Sequence, residues 1–238
     1  MLSKNQIKFI RSLKKKKFRQ ANRLFLAEGV KVVDELISSS FKIHKIYGTA
    51  SFQNTLKIDE LQIITQKELK MISDFTNPNQ VIGIFEIPEK KEPLNQGLTV
   101  ALDDINDPGN LGTIIRLCDW FGVSQLICST NTVDCFNPKV VQASMGSLTR
   151  VQINYVDLSA YLSVEKREIY GTFLDGENIY SSKHEMNSIL VLGNEANGIS
   201  ERIEALVQRK LTIPQFGDQK QTESLNVATA TAIFLSEF

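Results

Sequence analysis

Cysteine and histidine are scarce in this chain. Cys118, Cys128 and Cys135 form no C-x-x-C pair and are too few, and odd in number, for a disulfide framework, so they read as reduced core thiols. The two histidines, His44 and His184, stand far apart and leave a zinc site with little to build on. No apolar run approaches the roughly 18 residues of a membrane span, and the N-terminus has no apolar signal-peptide core. A cytoplasmic location is therefore expected. The usual phosphate loops are missing too. No G-x-G-x-x-G follows a strand, and the Walker-like spacing from Gly193 to Gly198 is followed by Ile199 where a P-loop needs lysine.

Net charge is also absent, but its distribution is uneven. Lys4, Lys8, Arg11, Lys14, Lys15, Lys16, Lys17, Arg19 and Arg23 all precede the first acidic residue, Glu28, so the rest of the chain carries a matching acidic excess. Such an arm can neutralise RNA phosphates, with Lys14, Lys15, Lys16, Lys17, Arg19 and Arg23 as the candidate contacts. The plainer reading is a solvated helix face, because Ile7, Ile10 and Leu13 at helical spacing give the same segment a packing side.

With 238 residues, 42% of them hydrophobic and 23% charged, the chain suits one medium domain or two small ones. Residues 24–26, 43–47, 61–64 and 81–87 read as strands. A helical pattern runs through Val30, Val33, Leu36 and Ile37, and Thr65-Gln66-Lys67-Glu68 has capping-box spacing. This makes a small α/β domain over 1–90. The charged, proline-bracketed stretch 91–97 reads as an exposed linker. Over 98–238, strands at 98–102, 125–128, 151–155, 169–174, 189–192 and 211–213 alternate with helices, which predicts a mostly parallel sheet covered on both faces. Asn110 is a plausible cap for the helix carrying Leu111, Ile114, Ile115, Cys118 and Phe121.

Two strand ends carry polar turns. Leu192-Gly193-Asn194-Glu195 closes a buried strand on a glycine that would let backbone approach a ligand, with a carboxylate able to face a cation; taken alone, a glycine turn with a solvated glutamate is the plainer reading. Ser224-Leu225-Asn226-Val227 opens a small-residue helix after strand 211–213, either as a ligand-facing junction or as a simple Ser-capped helix.

Taken in order, Asp107-Pro108-Gly109-Asn110-Leu111-Gly112-Thr113-Ile114-Ile115-Arg116, then Leu192-Gly193-Asn194-Glu195, then Ile213-Pro214 through Ser224-Leu225-Asn226-Val227 resemble the three motifs of the SpoU (TrmH-like) family of SPOUT RNA methyltransferases. The tract Lys139-Val140-Val141-Gln142-Ala143-Ser144-Met145-Gly146 is similar to a fourth. The first ninety residues resemble the family's RNA-binding extension only in layout. The resemblance implies a parallel sheet with a C-terminal trefoil knot, S-adenosylmethionine held in the knot, a homodimer built around it, and ribosomal or transfer RNA as partner. It places cofactor contacts on Leu192, Gly193, Asn194, Ile213, Pro214 and Leu225, and the catalytic neighbourhood on Asn110, Arg116, Glu195, Ser224 and Asn226.

Transfer of a methyl group from a sulfonium to a ribose 2′-hydroxyl needs in-line approach, removal of a proton from a poor acid, and stabilisation of oxyanion charge. A guanidinium gives up its proton reluctantly, which favours Arg116 as the electrostatic stabiliser, although the family's mechanism often makes it the proton acceptor. Glu195 either holds Arg116 or faces the sulfonium. An RNA-binding module without catalysis, or a SPOUT base methyltransferase, are the alternatives. Two departures stand out: Ala196 replaces a common second glycine, and 218–223 lengthen the approach to Ser224.

Overall fold

The computed structural model describes residues 1–52, 58–217 and 224–238. The chain forms two compact units, one of Met1–Glu89 with Asp134–Thr149, the other of Lys90–Val133 with Arg150–Phe238. Residues 134–149, expected with the second domain, are thus built into the first unit.

In the first unit, Ser3 and Gln6 form a capping box that starts α1 (Lys4–Ser12), and Thr65 and Glu68 form the expected one at α4 (Gln66–Ile72). The two helices meet over a shared core in which Leu2, Ile10 and Leu13 join Leu69 and Ile72. Strands β1 (Leu24–Glu28), β2 (Ile43–Gly48), β3 (Leu61–Ile63) and β4 (Val81–Glu86) lie in the order β1-β4-β2-β3; only β2 and β3 run parallel. Helices α2 (Lys16–Asn22) and α3 (Val30–Ile37) complete the amino-terminal part. Helix α6 (Pro138–Ser144), capped by Asn137 with proline in the first turn, packs on β1, where the Phe136 and Phe25 rings lie 4.8 Å apart. Its end turns through Met145 and Gly146, both at positive φ. A Cβ on Gly146 would come within 2.6 Å of the Glu35 side chain, so glycine is needed there for space as well as conformation.

The second unit is a six-stranded sheet with every neighbouring pair parallel, ordered β10-β8-β9-β5-β6-β7. Its strands are β5 (Thr99–Leu102), β6 (Gln125–Ser129), β7 (Gln152–Val156), β8 (Glu168–Asn178), β9 (Ser188–Leu192) and β10 (Arg209–Thr212). Central strands are buried along their whole length, as a parallel sheet covered by helices requires. Helices α5 (Pro108–Trp120), α7 (Leu158–Ser163), α8 (Glu201–Glu204) and α9 (Val227–Glu237) connect or follow them. On one face Leu158, Leu162 and Ile203 pack over Ala101, Ile127, Ile189 and Val191.

Strand order reverses between β5 and β9, because the chain adds β6 and β7 on one side of β5 and later β9, β8 and β10 on the other. Ligands in such sheets bind outside the carboxyl ends of the strands at that reversal.

The expected linker is strapped along the opposite, amino-terminal edge. Asn154 Nδ2 donates to the Lys91 carbonyl, Gln152 Nε2 to Glu92, and Gln125 exchanges two bonds with Leu94. Asn187 receives the Gly97 amide, and the buried Arg167 guanidinium donates to the Gly97 carbonyl. Each amide side chain satisfies a polar backbone group that a free tether would leave to water.

Candidate active site

Helix α5 begins one turn earlier than its apolar pattern predicts. Asp107, not Asn110, is the N-cap: its Oδ1 accepts from the Asn110 amide at 2.8 Å, and Pro108 holds the first helical position. The Asn110 side chain is thereby released for other work. Likewise α9 is capped by Asn226 and not by a serine, with Asn226 Oδ1 accepting from the amides of Ala228 and Thr229.

Beyond β9 the chain makes a tight turn. Asn194 and Gly198 exchange backbone hydrogen bonds, both 2.9 Å, and Asn194 Oδ1 accepts from the amides of Ala196 and Asn197. Asn194 Nδ2 donates to the Asp104 carbonyl at 2.7 Å, which ties this turn to the loop after β5. A Cβ on Gly193 would lie 2.2 Å from backbone atoms of Gly198 and Ile199. Glycine at 193 is thus demanded by the turn's own closure, independently of any ligand.

These elements bring three separated segments together. Asn226 Nδ2 donates to Asn110 Oδ1 at 2.9 Å, and Asn110 Nδ2 donates to Glu195 Oε1 at 2.7 Å. Glu195 lies in the turn that follows β9, Asn110 in the first turn of α5, the helix that follows β5, and Asn226 at the N-cap of α9; β5 and β9 flank the reversal of strand order.

Arg116 is not part of this chain of bonds. It lies six residues along α5, about 9 Å at helical rise, on the exposed side, with no hydrogen-bond or ion-pair partner among the described residues. Glu195 therefore does not hold Arg116 in this structure; its bonded partner is Asn110. Ser224 is exposed and likewise unpartnered among the described residues.

Of the expected cofactor residues, Leu192 is buried, Gly193, Asn194, Ile213 and Pro214 are half-buried, and Leu225 is 48% exposed. Open Leu225 and half-buried Ile213 and Pro214, on the segments at either end of 215–224, offer apolar surface. Such surface fits the flat apolar faces of an adenine ring. The lengthened segment 218–223 lies outside the described residues.

Sequence reading missed two fixings of this site. Asp103, buried at the end of β5, accepts from both the amide and hydroxyl of Ser200, and the Ser129 hydroxyl receives the Asp104 amide while Asp104 holds φ at 60°. The signal was present as an acidic pair directly after an apolar strand. A cavity of about 570 Å³ lined by Tyr161, Glu165, Arg167, Glu168 and Glu185 lies at the opposite edge of the sheet, where Arg167 serves the linker strap.

The basic arm is only partly free. Arg19 is 2% exposed, with its guanidinium bonded to Asp134 and to the Leu13 and Lys14 carbonyls, so burial takes it out of the expected RNA-contacting set. Lys14 pairs with Asp74, and Arg23 donates to the Ile87 and Pro88 carbonyls. Lys15, Lys16 and Lys17 are exposed.

Residues 97–236 match the SpoU rRNA Methylase family, and residues 4–83 match an MRM3-like substrate binding domain. The 23S rRNA (guanosine(2553)-2'-O)-methyltransferase RlmP of Bacillus subtilis is 28% identical over 98% of this chain and 96% of its own length. A TrmH-family protein from Porphyromonas gingivalis superposes with a TM-score of 0.90 at 42% identity, covering 100% of this chain and 98% of its own. The AdoMet-bound rRNA methyltransferase of Sinorhizobium meliloti does so at 0.86 and 30% identity, covering 100% and 95%. With the matched segment spanning the whole parallel sheet and all three motif segments, the chain belongs to the SpoU rRNA methylase family.

Proposed function

We propose that this protein transfers a methyl group from S-adenosylmethionine to a ribose 2′-hydroxyl of structured RNA, ribosomal or transfer, and works in the cytoplasm. The observation that carries the reading is the bonded chain Asn226, Asn110, Glu195, which draws the three motif segments to the carboxyl ends of β5 and β9. The relatives named for rRNA 2′-O-methylation and for AdoMet binding support the same chemistry.

Leu192, Gly193, Asn194, Ile213, Pro214 and Leu225 would hold the cofactor, Gly193 through backbone and Asn194 by shaping the turn on which its side chain and its backbone groups are already spent. When bound, that group supplies an electrophilic methyl. The chain's own residues supply orientation and charge, while the proton released by the ribose hydroxyl passes to solvent water. Arg116, an exposed guanidinium without an ion-pair partner among the described residues, stabilises the alkoxide developing on the ribose oxygen. Ser224 orients the ribose or phosphate through its exposed hydroxyl. Asn110, Glu195 and Asn226 frame the site.

Two protomers pack around a knotted C-terminal region. Support comes from Trp120, 82% exposed and one turn beyond Arg116 on α5, and from Ile233 half-buried on α9, the helix packed against α5. The N-terminal unit delivers RNA through Lys15, Lys16 and Lys17.

Mass mapping of ribose methylation in ribosomal and transfer RNA, from cells with and without the protein, tests the reading. One 2′-O-methyl group should vanish with the protein. An unchanged map, together with no cofactor binding at millimolar concentration, would refute it.

A further inference from the structure

The amide chain between the motif segments has only one possible polarity. At one end, Asn226 Oδ1 faces two backbone donors, the amides of Ala228 and Thr229, so its Nδ2 must point to Asn110. Asn110 must then present Oδ1 to Asn226 and Nδ2 to the next partner, Glu195. A carboxylate is the natural terminus, since it accepts and never donates when ionised. Reversing any member sets donor against donor or acceptor against acceptor.

We propose that Glu195 and Asn110 are positioning residues: Glu195 orients the Asn110 amide, Asn110 orients Asn226, and the α9 N-cap thereby locks the Ser224-Leu225 wall against the Gly193 turn. This rests on the methyltransferase reading only for what the wall binds. The latch itself belongs to the protein without cofactor. Charge strengthens it, because a hydrogen bond to a carboxylate is about twice as strong as one between neutral groups. The turn carrying Glu195 is independently braced, through Asn194 on Asp104 and through the Asn194–Gly198 pair, so the carboxylate is a fixed anchor and the α9 terminus is the part it restrains. Glu195 contributes here as an acceptor, a role that an amide oxygen can also fill.

The test is an acceptor-donor swap in the full-length chain, read by thermal unfolding without cofactor and by calorimetry with S-adenosylmethionine. Glu195→Ala should weaken cofactor binding about tenfold, the scale of one lost charge-assisted bond, and lower the unfolding midpoint. Glu195→Gln should recover most of both, since glutamine can turn its carbonyl oxygen to Asn110. Asn110→Asp places a carboxylate against Glu195 and should be the worst single change. Combining Asn110→Asp with Glu195→Gln restores a donor facing an acceptor and should bring the midpoint and the Kd back toward the parent.

The proposal is overturned if the double variant is no better than Asn110→Asp alone. It is also overturned if Glu195→Gln matches Glu195→Ala in affinity, or loses kcat by orders of magnitude with its Kd unchanged, which would put the carboxylate's charge into the chemistry. Should Asn110→Asp fail to fold, the contrast between Glu195→Ala and Glu195→Gln still decides. A parent that binds no S-adenosylmethionine would sink the methyltransferase reading, while the cofactor-free unfolding series would still report on the latch.

Discussion

Replacing Gly193 by alanine separates a glycine required by a ligand from one required by its own turn. The added Cβ would stand 2.2 Å from the Gly198 carbonyl carbon and the Ile199 nitrogen and 2.5 Å from the Gly198 oxygen. Non-bonded carbons need about 3.5 Å, and the atoms in the way are backbone. Relief requires opening the turn, which breaks the two 2.9 Å bonds between Asn194 and Gly198. At about 1 kcal/mol net for each bond, plus about 1–3 kcal/mol of overpacking strain, the cost is about 3–5 kcal/mol. For a chain of this size that lowers the unfolding midpoint by roughly 10 °C. Scanning calorimetry of the cofactor-free protein reads it directly. A midpoint within about 2 °C of the parent would refute the reasoning and return Gly193 to a purely ligand-facing role.

The other expectations concern charge. Arg116→Ala should lower methyl transfer by orders of magnitude in single-turnover assays while S-adenosylmethionine affinity stays within a few-fold, because its interaction is made with charge that develops in the transition state. Arg19→Ala leaves Asp134 without the guanidinium it faces and should cost about 3–5 kcal/mol in denaturant unfolding. Neutralising Lys15, Lys16 and Lys17 together should weaken RNA binding and flatten its salt dependence by ~0.7 log units per lost single-strand contact; identical slopes would make the arm a solvated face. Glu165, bonded to Arg167, and Glu68, bonded to the Thr65 and Leu2 amides, are both held down to about 2. Depressed carboxyls stabilise above their unfolded value near 4.3 and lose that contribution as pH falls toward 2, so acid unfolding of Glu165→Gln should be less steep over that window.

Much of this architecture was legible because periodicity and caps are local. The Thr65–Glu68 box, the buried runs of β5, β6 and β9, and the helix at Pro138 are all decided within a few residues. Cap identity was harder. Apolar spacing pointed to Asn110 and a serine, whereas Pro108 set the helix start at Asp107, and two amides aligned on Asn226. Strand β8 runs to Asn178, past its apolar part, since its polar end pairs with β10 after a register shift at Lys210 and Leu211. Nothing local marks which cation of a basic run turns inward. Arg19 does so because Asp134, 115 residues away, receives it. The motif residues were readable as a set, but the order of their bonding depends on which amide atoms meet backbone donors, a matter only three-dimensional structure resolves.

The strapped linker and the displaced segment together bear on how this enzyme can be taken apart. A cut at Gly97 would strip the backbone partners from Gln125, Gln152 and Asn154, leaving amides along one sheet edge with only their bonds to Thr99 and to each other. A cut at Lys90 keeps that edge dressed but deprives Phe136 and α6 of β1, the surface on which they pack. The catalytic half is therefore not a cassette. Any exchange of the substrate-binding-domain unit between relatives, by evolution or by hand, must carry residues 134–149 with the incoming domain or rebuild the face of β1 that receives them.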